Sequence, residues 1–214
     1  IFDRNNMLLA TNVNSASIYA KPAEIINKTE ASIKLASVLN NQNFSDIEKK
    51  LTSGKSFIWI KRQVSPKEHF EVNKLGIPGI KFQEELKRIF PQESLFAHVI
   101  GSVGVDNQGL SGVEKKLNKR LLDSTKSIFL TVDTRVQHAL RQELYLSMKK
   151  FNAIGAAGVV MNVNSGEIIG LVSLPDFNPN IKIKPSDDAA FSRVTLGSYE
   201  MGSTFKPFTV AAAL

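Results

Sequence analysis

Cysteine is absent from the 214 residues, which removes disulfide frameworks, thiolate zinc sites and cysteine nucleophiles together. Histidine is scarce, and His69, His98 and His138 show neither ligand-like spacing nor accompanying carboxylates. Solvated or core roles are expected of them, with no metal and no cofactor. No apolar run approaches the roughly 18 residues that span a bilayer, and the first residues lack the order of a signal peptide. Ser53-Gly54-Lys55-Ser56 looks like the end of a phosphate-binding loop, but Lys49 stands where such a loop needs its first glycine. Nucleotide binding is therefore not expected. Repeats and low-complexity tracts are missing too, so solenoid and collagen-like architectures drop out.

What remains is a foldable, basic chain, 43% hydrophobic and 22% charged, with room for one sizeable core or two small ones. Its 27 Lys and Arg against 20 Asp and Glu leave a formal charge of +7, which suits an anionic neighbour such as nucleic acid, a lipid surface or an acidic polymer. The excess lies at the front: residues 1–127 hold 19 basic and 13 acidic groups, residues 128–214 hold 8 and 7. That asymmetry suggests two units. The chain opens without an initiator Met and closes inside the helix-favouring run Val210-Ala211-Ala212-Ala213-Leu214, so a piece of a longer protein is expected.

The front unit reads as mixed α and β. Helices are expected over residues 30–39 and from Asp46 to Leu51, a strand over residues 56–61, a helix opening at Pro66, and a turn at residues 75–80 leading into extended chain. Ser111-Gly112-Val113-Glu114 has the form of a capping box starting a helix through Leu121. The second unit opens on a strand at residues 128–132. Asp133 or Thr134 then caps a helix of about four turns whose apolar face is Val136, Leu140, Leu144, Met148 and Phe151. Two β-rich runs, residues 157–163 and 167–173, are joined by Asn164-Ser165-Gly166, the chemistry of a tight hairpin. A helix on an antiparallel sheet follows, then a polar loop and a last helix near Ser203.

One pattern carries chemistry. In Ser203-Thr204-Phe205-Lys206 the lysine three residues on shares the serine's helix face and can take its proton if the amine is held neutral. Spacing alone is weak, because 20 serines and 20 lysines give roughly two such pairs by chance, and there are two. The other, Ser147 with Lys150, sits late in the long helix, where cations complement the helix dipole. Ser203 differs: Gly202 precedes it, and Pro207 has no N–H to return to the Ser203 carbonyl, so the helix must begin or kink there. A nucleophile and a plain helix cap both fit these residues.

The segment Tyr199-Glu200-Met201-Gly202-Ser203-Thr204-Phe205-Lys206-Pro207 resembles the Glu-Pro-Gly-Ser-x-x-Lys-Pro stretch of class B penicillin-binding proteins, with Met201 where Pro is usual. The likeness continues upstream. Residues 157–167 and 173–180 resemble the first hairpin and following loop of the transpeptidase domain, and Leu130-Thr131-Val132-Asp133 with Gln137 resembles its opening. Asp3-Arg4-Asn5 is similar to the family's segment outside the membrane anchor. His98-Val99-Ile100-Gly101 and Gly109-Leu110-Ser111-Gly112-Val113-Glu114 are similar to motifs of its N-terminal pedestal, or dimerisation domain. Among class B members the likeness is greatest to the cell-division transpeptidases.

The resemblance implies an α+β protein: a pedestal over residues 1–127, then a truncated transpeptidase domain of helices on an antiparallel sheet over residues 128–214. It implies a serine-type D,D-transpeptidase that cross-links peptidoglycan stem peptides and is acylated by β-lactam antibiotics, with catalytic Ser203 and Lys206. Expected partners are a glycan polymerase and other division proteins through the pedestal, with no nucleic acid. The expected place is the periplasmic face of the bacterial inner membrane, held by an upstream anchor. The family also uses a Ser-x-Asn and a Lys-Thr-Gly, and neither tripeptide occurs here, so this chain alone is expected to be inactive. The family's longer join between pedestal and transpeptidase is short here, at residues 122–126. Two alternatives compete: a pedestal that only binds partners, and a β-lactamase or β-lactam sensor sharing Ser-x-x-Lys.

Overall fold

A computed structural model describes residues 1–123 and 126–214, the side chain of Asp123 aside. The short join read at residues 122–126 thus has its centre outside the described residues. The chain divides into two compact units that interleave along the sequence: one holds Ala10–Phe90 and Val103–Leu110, the other Ile1–Leu9, Pro91–Ser102 and Ser111–Leu214. Together they form an α+β architecture with antiparallel sheets, as expected from the sequence. Among the described residues, no helix is long and apolar enough to cross a membrane.

The first of these units is built on three antiparallel strands, β1 (Thr11–Ala20), β2 (Ile58–Val64) and β3 (Ile80–Ile89), in the order β2-β1-β3. Three helices, α1 (Lys28–Val38), α2 (Phe44–Leu51) and α3 (Pro66–Lys74), supply its other wall. Ile18, Leu35, Ile47, Leu51, Ile60 and Val72 fill the core between them. Local chemistry explains the helix starts. Asn27 accepts the Glu30 N–H at α1, and Ser65 and Glu68 form a reciprocal capping box at α3, with Pro66 in its first turn. Burial would raise the Glu68 carboxyl, but Lys61 at 2.5 Å and the Ser65 bonds hold it below the usual range. An open cavity of about 630 Å³ lies by β1, β3 and α3, with Phe82, His69 and Glu84 in its lining.

In the other unit, α4 (Ala97–Ile100) and α5 (Gly112–Lys116) meet backbone to backbone. Gly101, at φ +86°, has no room for a Cβ, which would overlap the Ser111 carbonyl; a Cβ on Gly112 would lie 2.6 Å from the Ile100 oxygen. This contact corrects one expectation. Ser111 does not cap α5 with its side chain; its Oγ instead accepts the Ser102 N–H at 3.0 Å, so no box forms with Glu114. The helix expected through Leu121 is also interrupted at Leu117, continuing as α6 (Asn118–Asp123).

Asp133 caps α7 (Thr134–Lys150), accepting the Arg135 N–H. α7 lies on the hairpin of β4 (Ala156–Met161) and β5 (Ile168–Leu174), paired from Ala156 with Leu174 to Met161 with Ile168. The approach is close because Gly158 and Gly170 face it: a Cβ on Gly158 would lie 3.0 Å from Leu144 and 3.1 Å from Leu140. Val136, Leu140, Leu144 and Met148 are half-buried as the periodicity predicts, whereas Phe151 is 72% exposed beyond the helix end. The strand expected at residues 128–132 is reduced to an isolated bridge between Phe2 and Phe129. Its backbone bonds run to Phe2 and Arg4, and the Asp133 N–H, one residue on, turns to Ile169 of β5.

Candidate active site

Ser203 sits in a 3₁₀ turn, Gly202–Phe205, that runs into α8 (Lys206–Ala213). The cause is Pro207. The Ser203 carbonyl would receive an N–H from the fourth residue on, but Pro207 has none, so the Lys206 N–H closes the tighter ring instead. In a 3₁₀ turn residues three apart eclipse, which puts Ser203 and Lys206 on one side of the chain. Thr204 closes the turn's other end, its N–H and Oγ both donating to the Met201 carbonyl at 3.2 and 2.6 Å. The helix expected near Ser203 therefore begins three residues later, after a turn that serves the same pairing.

Every residue from 198 to 214 is exposed, Phe205 and Phe208 by 60% and 67%. Those two rings lie 5.0 Å apart, tilted by 34°. Among the described residues no side chain hydrogen-bonds to Ser203 Oγ or to Lys206 Nζ, so the two candidate residues stand on the same turn without a wall around them.

The segment leading to Ser203 is better fixed. At its start Asp176 takes two hydrogen bonds from the Arg141 guanidinium, at 2.5 and 3.1 Å. His98 Nε2 donates to the Ala189 carbonyl at 2.9 Å and its ring stands edge-on to Phe177; burial pulls this imidazole below the usual histidine range. Further on, Ser173 Oγ accepts the Arg193 N–H at 2.9 Å. Behind the hairpin, Gln137, 1% exposed, donates Nε2 to the Leu95 and Leu171 carbonyls and accepts the Leu171 N–H on Oε1. Its amide thus occupies the ladder position beside β5 that a further strand would fill.

Two motifs far apart in the sequence also join. Asp3, 1% exposed, accepts the Asn5 and Met7 N–H groups on Oδ1, and the Thr134 N–H and hydroxyl on Oδ2, at 2.7 to 3.0 Å. Asn5 Nδ2 reaches Asp133 at 2.9 Å. Burial would raise the Asp3 carboxyl, yet these bonds, led by Thr134, hold it below the usual range. Asp133 is lowered further by Arg135 and Asn5. Asp3 and Asp133 stand in separate sequence motifs, and side-chain pairing across 128 to 131 residues leaves no periodic signal. Arg141, Asp176 and Arg193 gave none either. Among the described residues no group of three or more acidic or histidine side chains could hold a metal.

Residues 1–143 match the family model of the penicillin-binding protein dimerisation domain, and residues 156–214 that of the penicillin-binding protein transpeptidase domain. The chain is 34% identical over its whole length to the probable peptidoglycan D,D-transpeptidase FtsI of Caulobacter vibrioides, covering 37% of that protein. It is 30% identical to the peptidoglycan D,D-transpeptidase FtsI of Escherichia coli K12, covering 42%, and 32% identical to the stage V sporulation protein D of Bacillus subtilis, covering 38%. The chain thus spans about two fifths of the length of these relatives. A crystal structure of a peptidoglycan synthetase from Bifidobacterium adolescentis has a similar fold, with a TM-score of 0.62 at 22% identity over the whole chain and 49% of that structure.

Proposed function

Since the chain belongs to the penicillin-binding proteins, through a dimerisation domain and part of a transpeptidase domain, we propose that it is the front portion of a peptidoglycan D,D-transpeptidase of the cell-division kind. The observation that carries the chemistry is the Pro207-driven turn, which brings Ser203 and Lys206 to one side of the backbone. Lys206 Nζ takes the Ser203 proton as Oγ attacks the penultimate D-alanine carbonyl of a stem peptide. The tetrahedral adduct collapses with loss of terminal D-alanine, which leaves with a proton. The amine of a neighbouring stem then displaces Ser203 from the ester, forming the cross-link and restoring the hydroxyl. A β-lactam follows the first half alone: the Oγ–acyl bond forms, the lactam C–N bond breaks, and the nitrogen takes the proton.

Lys206 must be neutral to act, which requires cover that desolvates it. Here it is exposed, so the chain by itself does not acylate. We assign residues 1–127 to the pedestal and 128–214 to the transpeptidase portion, the two family matches coming in that order along the chain. The basic excess of the pedestal suits an anionic membrane surface or wall polymer, in keeping with a place at the outer face of an inner membrane, beside a glycan polymerase and other division proteins.

The test is mass spectrometry of the full-length protein after exposure to penicillin, with the 214-residue chain alongside. A single stable adduct on the Ser203 peptide, absent from the shorter chain, from Ser203→Ala and from Lys206→Ala, is the expected result. No adduct on the full-length protein overturns the reading, and an adduct that turns over rapidly makes the protein a β-lactamase.

A further inference from the structure

Residues 175–201 contain a single short 3₁₀ turn, Asp188–Ala190, as regular structure, and a connection of that length inside a folded unit needs ties to hold one shape. Several of them meet at Arg193. Its backbone N–H donates to Ser173 Oγ at 2.9 Å, and Ser173 is 1% exposed at the end of β5. Its carbonyl accepts the Tyr199 hydroxyl at 3.0 Å, which closes the loop 193–199 over Gly197. The guanidinium gives Nη2 to both Asp188 oxygens at 2.8 Å and lies 6.0 Å from the Phe191 ring. It also presses on Gly155 at the entry to β4, where a Cβ would overlap Nε.

One feature of this arrangement counts against plain stabilisation. The Arg193 side chain is 13% exposed, and Nη1 is buried without a hydrogen-bond partner among the described residues. A lysine would keep the charge opposite Asp188 and strand nothing. What lysine lacks is the planar fork that fills the space between Gly155, Asp188 and Phe191. The arginine is therefore suited to fixing the position of the chain at residue 193 more than to holding the unit together.

On the reading of Ser203 as nucleophile, we infer that Arg193 is a positioning residue for acylation: it pins the loop 188–199 against β4 and β5, and so sets where the Ser203 turn begins, three residues after Tyr199. Ser203 and Lys206 supply the reacting atoms, and Arg193 touches neither.

The experiment measures acylation of the full-length protein by a fluorescent penicillin, separating initial binding from the bond-forming rate, together with thermal melting. Two variants are needed. Arg193→Lys is expected to melt within a few degrees of the parent while the bond-forming rate falls about tenfold, with binding of unreacted penicillin nearly unchanged. Gly155→Ala, which displaces the guanidinium without altering it, is expected to lower the same rate. Asp188→Asn, which leaves the fork in place, should retain most of it. If both Arg193→Lys and Gly155→Ala acylate at the parent rate per folded molecule, or if their losses only track the fraction folded, the positioning role is wrong. Failure of the parent protein to acylate at all would instead count against Ser203 as nucleophile.

Discussion

Replacing Gln137 by leucine asks how much of the hairpin's stability rests on one side-chain amide. The substitution keeps the volume and removes three hydrogen bonds of 2.7 to 2.8 Å, to the Leu95 carbonyl and to both backbone groups of Leu171. Leu95 and Leu171 are half-buried, so the lower end of the cost of an unsatisfied group applies, about 1 kcal/mol each and about 3 kcal/mol in all. That is a large share of the ~5–15 kcal/mol that holds a domain folded. Gln137→Glu adds a sign to the test. One carboxylate oxygen can still accept the Leu171 N–H, but the other faces two carbonyl oxygens and is tolerable only when protonated. The folded-state pKa of this glutamate is therefore raised above its unfolded value of about 4.3. Its penalty is absent below that value, grows as pH rises through the folded pKa, and is full above it. Trp59 lies in the three-stranded unit, so its fluorescence would report on the wrong part of the chain. Hydrogen exchange of the full-length protein in urea, followed on the peptide covering residues 168–174, is the suitable assay. A leucine variant within 1 kcal/mol of the parent, or a glutamate variant equally stable at pH 5 and pH 8, would refute the role given to this amide.

Asp3→Asn leaves an NH₂ facing two donors whichever way the amide turns, and is expected to cost about 2–3 kcal/mol at pH 7. The folded Asp3 pKa is lowered, so the parent's advantage is present above the unfolded value near 3.9 and is lost as pH falls through the folded one; melting curves of the two proteins should converge below about pH 4, and divergence there would contradict the assignment. Gly101→Ala forces a Cβ into the Ser111 backbone and should cost about 3 kcal/mol or more. Gly166→Ala, at a similar positive φ but with open space around it, should cost only about 1 kcal/mol, and equal losses in a thermal melt would refute the packing argument.

Local chemistry made much of the fold readable in the sequence. Pro66 and Pro207 mark helix starts by what they lack, Asn164-Ser165-Gly166 turns the hairpin, and the three- and four-residue spacing of α7 predicts the face laid on β4 and β5. The same local logic misplaced the capping box. Ser111-x-x-Glu114 has its form, but the meeting of Gly101 and Gly112 draws the Ser111 hydroxyl to Ser102, while the box that forms is Ser65 with Glu68. Residues 128–132 have the composition of a strand without its ladder: their backbone bonds reach only Phe2 and Arg4, which make a single isolated bridge. At the candidate site, Ser203 and Lys206 were legible because a motif and a proline coincide within five residues. The ion pairs of Arg141 and Arg193 were not, since one spans 35 residues from helix to loop and the other lies within an irregular loop, and neither leaves a periodic spacing to read.

The interleaving of the two units bears on the order in which the chain assembles as it is made. Everything in the three-stranded unit has been synthesised once residue 110 is available, and its strand pairs can close at that point. Residues 1–9 cannot: Asp3 awaits Thr134, and Phe2 awaits residues 128–130. For more than a hundred residues of elongation Asp3 lacks its Thr134 partner and Phe2 its backbone partners at residues 128–130, while the unit that follows them can already form. Assembly from the middle outward is the expected sequence of events, and the long-range closure through Asp3 is its late and slow step.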